Sequence, residues 1–213
     1  MSDARKNILA TLAYFDLFTY PLTMEEVYFF LPAKVNFDEF ENALLGLAED
    51  RVIFKFDKLY TLKNDYFLAE RRQKGNAKAA GLIAIARKVG DLLIRFPYVR
   101  GIAISGSLSK NFADDDSDID LFIITAKNGL WIARTIMHCF KKLTFLVKKE
   151  NYFCMNYYID EEDLVIHENN IYTATEVATL MPLCGDTVFE QFYTANAWTR
   201  SFLPKEKPID KDR

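Results

Sequence analysis

Cysteine is scarce in this chain: Cys139, Cys154 and Cys184 are an odd number, and no two stand at CxxC spacing. That excludes a disulfide framework and a cysteine zinc cluster, and it points to a reducing compartment. Histidine is scarcer, with only His138 and His167, too few for a His-based metal centre. Glycine (8) and proline (6) are sparse among 213 residues, which leaves little chain for long loops. No uncharged apolar run approaches the ~18 residues of a membrane span, and the opening MSDARKNILATLAYFD has no signal-peptide cleavage pattern. A basic excess is lacking as well. The formal charge of −3 sets up no global positive field for nucleic acid or an anionic membrane. These absences predict a cytoplasmic protein without a membrane partner.

What is present is globular: 50% apolar residues, 18 Phe and 11 Tyr, enough for one large domain or two small ones with aromatic cores. No internal repeat stands out, and the polar stretch KEKPIDKDR after Pro204 reads as a frayed tail. Residues 1–66 read as helix, helix, helix, hairpin. Ile8, Leu9, Leu12, Ala13 and Phe15 fall on one helical face. Thr23 with Glu26 forms a capping box for a second helix that Pro32 ends. Asn36 with Glu39 caps a third, with Phe37, Phe40, Ala43, Leu44 and Leu47 inward. Asp57-Lys58 then turns a short hairpin.

Three helices and a two-stranded wing resemble a winged helix-turn-helix module. The third helix of such a module would enter a major groove, but here it carries no Lys or Arg. Residues 1–50 hold nine acids against three bases, which repels phosphates. DNA binding is therefore not expected, and a packing or protein-contact module is the reading. Residues 67–96 form a linking helix with Arg71, Lys74 and Lys78 on one face, most simply a solvated basic face.

Chemistry is concentrated after Pro97. The strand Val99–Ser105 runs into Gly106-Ser107; ten residues later come Asp118-Ile119-Asp120 and the apolar strand 121–125. Gly106 lets backbone approach a ligand, and Ser107 is expected at a helix N-terminus that favours phosphate. Alternation along a strand puts Asp118 and Asp120 on one face with Ile119 buried on the other. Two such neighbouring carboxylates repel unless a cation such as Mg²⁺ sits between them.

GSLSKNFADDDSDIDLFII resembles the signature of the DNA polymerase beta-type nucleotidyltransferase superfamily, roughly GSxARGxAxxxSDIDL. Lys110 stands for the usual basic residue, Ala113 is retained, and Asn111 replaces the second glycine, a position Asn tolerates in left-handed backbone. With the winged helix-like module at 1–66, the resemblance implies an α+β architecture: a nucleotidyltransferase core of mixed sheet flanked by helices at 97–166, and C-terminal helices at 167–204 completing it. It also implies that Gly106, Ser107 and Lys110 hold a nucleoside triphosphate. Asp118 and Asp120 are the implied catalytic, Mg²⁺- or Mn²⁺-binding pair. The acceptor is open among an RNA end, a protein and a small molecule. The family expects a third carboxylate on a later strand, yet Asn151–Ile159 contains none. Asn156 stands mid-strand, and Asp160 follows at its end with the same expected facing. Asp160 or Glu161 is the alternative supplier, and a nucleotide-binding domain without turnover is the alternative function. The exposed acids Asp114, Asp115 and Asp116 read as a solvated turn. Glu176 on a later helix is within conceivable reach, and Cys154 reads as inert.

Overall fold

The computed structural model describes residues 2–144 and 154–205; the tail from 206 and residues 151–153 of the anticipated strand lie outside the described residues. The chain divides into two compact units, Met1–Lys74 with Asn170–Thr175 and the residues from Trp198 on, and Gly75–Asn169 with Glu176–Ala197.

In the first unit, Ser2 accepts from Arg5 N and opens α1 (Asp3–Asp16). The Thr23–Glu26 capping box starts α2 (Met24–Phe29), as its spacing predicts, with both reciprocal hydrogen bonds made. Asn36 caps α3 (Phe37–Glu49), which buries Phe40, Leu44 and Leu47. The hairpin is β2 (Phe54–Phe56) and β3 (Leu59–Thr61), turning at Asp57 with φ 54°. A further strand, β1 (Leu22–Thr23), pairs with β3 to give the order β1-β3-β2. Under these elements Arg72 is 3% exposed. Its guanidinium donates to Glu26 Oε1 at 2.7 Å and Pro21 O at 3.0 Å, 3.7 Å from the Tyr20 ring.

The stretch expected as a linking helix is α4 (Tyr66–Leu93), and the division between units falls inside it. Its basic face is engaged locally: Arg71 donates to Thr19, Lys74 pairs with Glu70, and Lys78 with Asp115.

The second unit is built on a four-stranded mixed sheet of order β6-β5-β4-β7. Its strands are β4 (Val99–Ile104), β5 (Asp120–Thr125), β6 (Cys154–Asp160) and β7 (Met181–Cys184). β5 is antiparallel to β4 and parallel to β6, so the helix between them, α5 (Leu130–Thr144), returns from the Thr125 end to the Asp120 end. One face of the sheet (Ile102, Ile104, Leu121, Ile123, Met155) is sealed by Ala79, Ala86, Val89 and Leu93 of α4 and Met137 of α5. On the other, Phe122 meets Phe189 and Phe192 of α7 (Asp186–Ala195). Before β7 stands α6 (Ile171–Thr179); the second anticipated C-terminal helix is α7 followed by a 3₁₀ turn, Ala197–Ser201. Residues 176–197 group with the sheet, whereas 170–175 group with the first unit.

Candidate active site

The site residues gather where β4 leaves the sheet and β5 enters it. Gly106 has φ +66°, and a Cβ there would lie 2.6 Å from Asp120 Oδ2. Glycine therefore serves two purposes: it accepts a left-handed backbone, and it lets the turn press against a carboxylate. Ser105 N donates to Asp120 O at 2.9 Å, which locks the two segments together.

Two expectations need correction here. Ser107 begins only a three-residue 3₁₀ turn, Leu108–Lys110, so no helix dipole aids it; its exposed side chain stands beside the turn's amides. Asp118 lies before β5, not in it, because the strand opens at Asp120. Ile119 is nevertheless fully buried, which turns both flanking carboxylates outward, half-buried. Asn111 adopts φ 58°, the left-handed conformation anticipated for the replaced glycine.

Lys110 turns back over the loop. Its Nζ donates to Gly106 O at 3.0 Å and to Glu176 Oε1 on α6 at 2.7 Å, with both side chains largely buried. The charge of Glu176 is also felt at Asp120. Nothing in the sequence near Lys110 points to Glu176, because only the fold carries it across from a helix 66 positions along the chain.

Asn156 and Asp160 part company. β6 pairs with β5 as Leu121↔Met155 and then Phe122↔Tyr157, so Asn156 is the extra residue of a bulge. The bulge leaves Asn156 exposed, and its Nδ2 donates to Asp120 Oδ1. Asp160 pairs instead with Thr125, at the far end of β5, where its Oδ1 accepts from Glu162 N. The facing expected for Asp160 assumed an unbroken alternation, and the bulge removes it. Glu161 likewise turns to Lys127 N and Arg100. Cys154 is Asp120's register partner, and its Sγ lies 3.1 Å from Asn156 Oδ1, so the thiol borders the site. Burial pushes the Cys154 thiol up, and Lys141 opposes this. Asp114, Asp115 and Asp116 are exposed on the turn.

Burial raises the Asp120 carboxyl above the ordinary aspartate range. Contact with Cys154 opposes that rise, Asp118 and Glu176 add to it, and the Asn156 amide opposes it in turn. A folded-state pKa above the unfolded one means that stability falls as pH rises from the ordinary aspartate value through the raised one. Asp120→Asn is therefore expected to raise the thermal midpoint at neutral pH, with the gain shrinking as pH falls toward the ordinary aspartate range. Melts of both proteins across a pH series check this; a less stable variant at neutral pH contradicts it.

Among the described residues, no three His, Cys, Asp or Glu side chains are grouped to hold a metal by themselves. Asp118 and Asp120 offer hard oxygen donors of the kind Mg²⁺ accepts from one or two carboxylates, leaving other positions to phosphate oxygens.

The family model of the nucleotidyltransferase domain matches residues 85–176, less than half of the chain but all of this site. No curated protein and no solved structure matches the chain. The family match supports a nucleotidyltransferase domain over this stretch, and with it an enzyme of the nucleotidyl-transfer class. No helix among the described residues is long and apolar enough to cross a membrane.

Proposed function

We propose that the chain transfers a nucleoside monophosphate from a nucleoside triphosphate to an acceptor hydroxyl or phosphate, with Mg²⁺ or Mn²⁺ held by Asp118 and Asp120. The observation that carries this reading is the Gly106 turn pressed against Asp120, which brings backbone donors suited to phosphate beside a carboxylate suited to a cation. Gly106 and Ser107 would orient the phosphates. Lys110, steered by Glu176, would neutralise the charge that is not met by the metal. The bound ion would supply electrostatic stabilisation of the reacting phosphate. The donor set fits that ion: burial chiefly raises Asp120, the Asp118 charge adds to the rise, and a shared cation would favour both carboxylates ionised. The N-terminal unit reads as a winged helix-like module by its element order. The acidic α3 favours a protein contact over DNA.

A second reading is favoured by Asn156. An amide donating to Asp120, where the superfamily resemblance calls for a third acid, supplies neither a base nor a strong ligand. The domain would then bind a nucleotide without turnover. Incubation with Mg²⁺ or Mn²⁺ and each α-³²P-labelled ribonucleoside triphosphate, with cell extract as the acceptor source, separates the readings. Label transferred by the wild type and lost in Asp118→Ala/Asp120→Ala supports transfer. Metal-dependent nucleotide binding without pyrophosphate release supports the second reading. Absence of both defeats both.

A further inference from the structure

From Ala126 to Lys149 the sequence contains six Lys or Arg residues and not one Asp or Glu, in a chain whose net charge is −3. Most of that stretch is α5, which carries Arg134, Lys141 and Lys142, while Lys127 before it pairs with Glu162. Ala133 and Met137 are fully buried, fixing the helix's inner face. Trp131, Arg134, His138 and Lys141 then follow at i, i+3, i+7 and i+10 on the flank beside β6. Trp131 is 72% exposed. The Arg134 guanidinium lies 5.5 Å from the Trp131 ring and 5.9 Å from that of Tyr158 on β6, within cation–π range of both.

The direction of the helix gives this stripe its meaning. β5 and β6 run parallel, so α5 returns toward the end of the sheet where Asp120 stands. At about 1.5 Å per residue the stripe covers roughly 15 Å from Trp131 to Lys141. At its end the charge of Lys141 is felt by Cys154, the register partner of Asp120. A triphosphate held at the Gly106 turn has no use for cations and an exposed indole that far off. A polyanion with flat bases does.

We propose that the flank of α5 bearing Trp131, Arg134 and Lys141 is a track for a single-stranded nucleic acid, which delivers its end to the Asp118–Asp120 site as the acceptor. The proposal rests on the transfer reading for the word acceptor, but not for binding. Aromatic rings interleaved with cations are what unpaired bases and their phosphates recognise: the rings stack, and the cations follow the backbone. The stripe is local, so the acidic remainder of the chain does not conflict with it.

The test uses the full chain and end-labelled, unstructured oligonucleotides, one RNA and one DNA, in fluorescence anisotropy without nucleoside triphosphate. Wild type is expected to bind at low ionic strength, with affinity falling as salt rises. Trp131→Ala/Arg134→Gln should weaken binding about tenfold or more. Lys58→Gln, in the hairpin turn of the first unit, should leave it unchanged. The RNA and DNA arms show which sugar the track accepts. No detectable binding overturns the proposal, as does equal binding by the α5 double variant. Preference for phosphatidylserine vesicles over either oligonucleotide overturns it too. If the double variant loses oligonucleotide binding while no label is ever transferred, the track stands and the transfer reading falls. If label reaches RNA equally well in the double variant, the reverse holds.

Discussion

Gly106→Ala is expected to leave the chain folded and to cut nucleotidyl transfer by about 100-fold, the usual consequence of displacing a reacting group by about an ångström. The backbone strain is modest, since one alanine at φ +66° costs roughly 1 kcal/mol. The damage lies at Asp120, because the new methyl would meet its Oδ2 at 2.6 Å and the carboxylate would have to rotate away. That rotation also breaks the hydrogen bond from Asn156. Transfer rate and thermal midpoint, measured on the same preparation, separate the two effects. A large loss of activity with a small loss of stability is the expected pattern. Unchanged transfer would show that the observed position of Asp120 is not the one the reaction uses.

Glu26→Ala should produce the largest loss of stability in the first unit, about 3 kcal/mol, because it strands a buried guanidinium. Arg72 is nearly enclosed, and its carboxylate partner is Glu26 at 2.7 Å. The same carboxylate closes the α2 capping box through Thr23 N, so one substitution removes a counter-ion and a cap. For a chain of this size that corresponds to a midpoint lowered by roughly 6–12 °C. Glu26→Gln, which keeps an acceptor without the charge, should recover part of the loss, and Arg72→Met should cost less than Glu26→Ala because the carboxylate it leaves behind is partly exposed and still accepts from Thr23 N. Denaturant titration of the three variants gives the order, and a harmless Glu26→Ala would mean that the guanidinium finds another partner.

Features governed by near neighbours are legible in the sequence: the Thr23–Glu26 capping box, the Asp57 turn and the left-handed Asn111. Features set by register were not. The bulge at Asn156 depends on how β6 slides along β5, and no local pattern announces it. Plain alternation therefore faces Asp160 toward the site and gives no sign that Cys154 stands opposite Asp120. β1 and β7 are too short to show a period, and β7 carries a proline. Glu176 reaches Lys110 from 66 positions away, a separation at which sequence offers only the presence of an acid.

The interleaving of the two units has a consequence for biosynthesis. The first unit draws on residues from Asn170–Thr175 and from Trp198 onward, after nearly all of the second has been made. At about 5–20 residues per second, the N-terminal helices and hairpin wait several seconds on the ribosome for the segments that complete them. The first unit is thus complete only once its last segments have left the ribosome, and its folding is expected to end after that of the sheet.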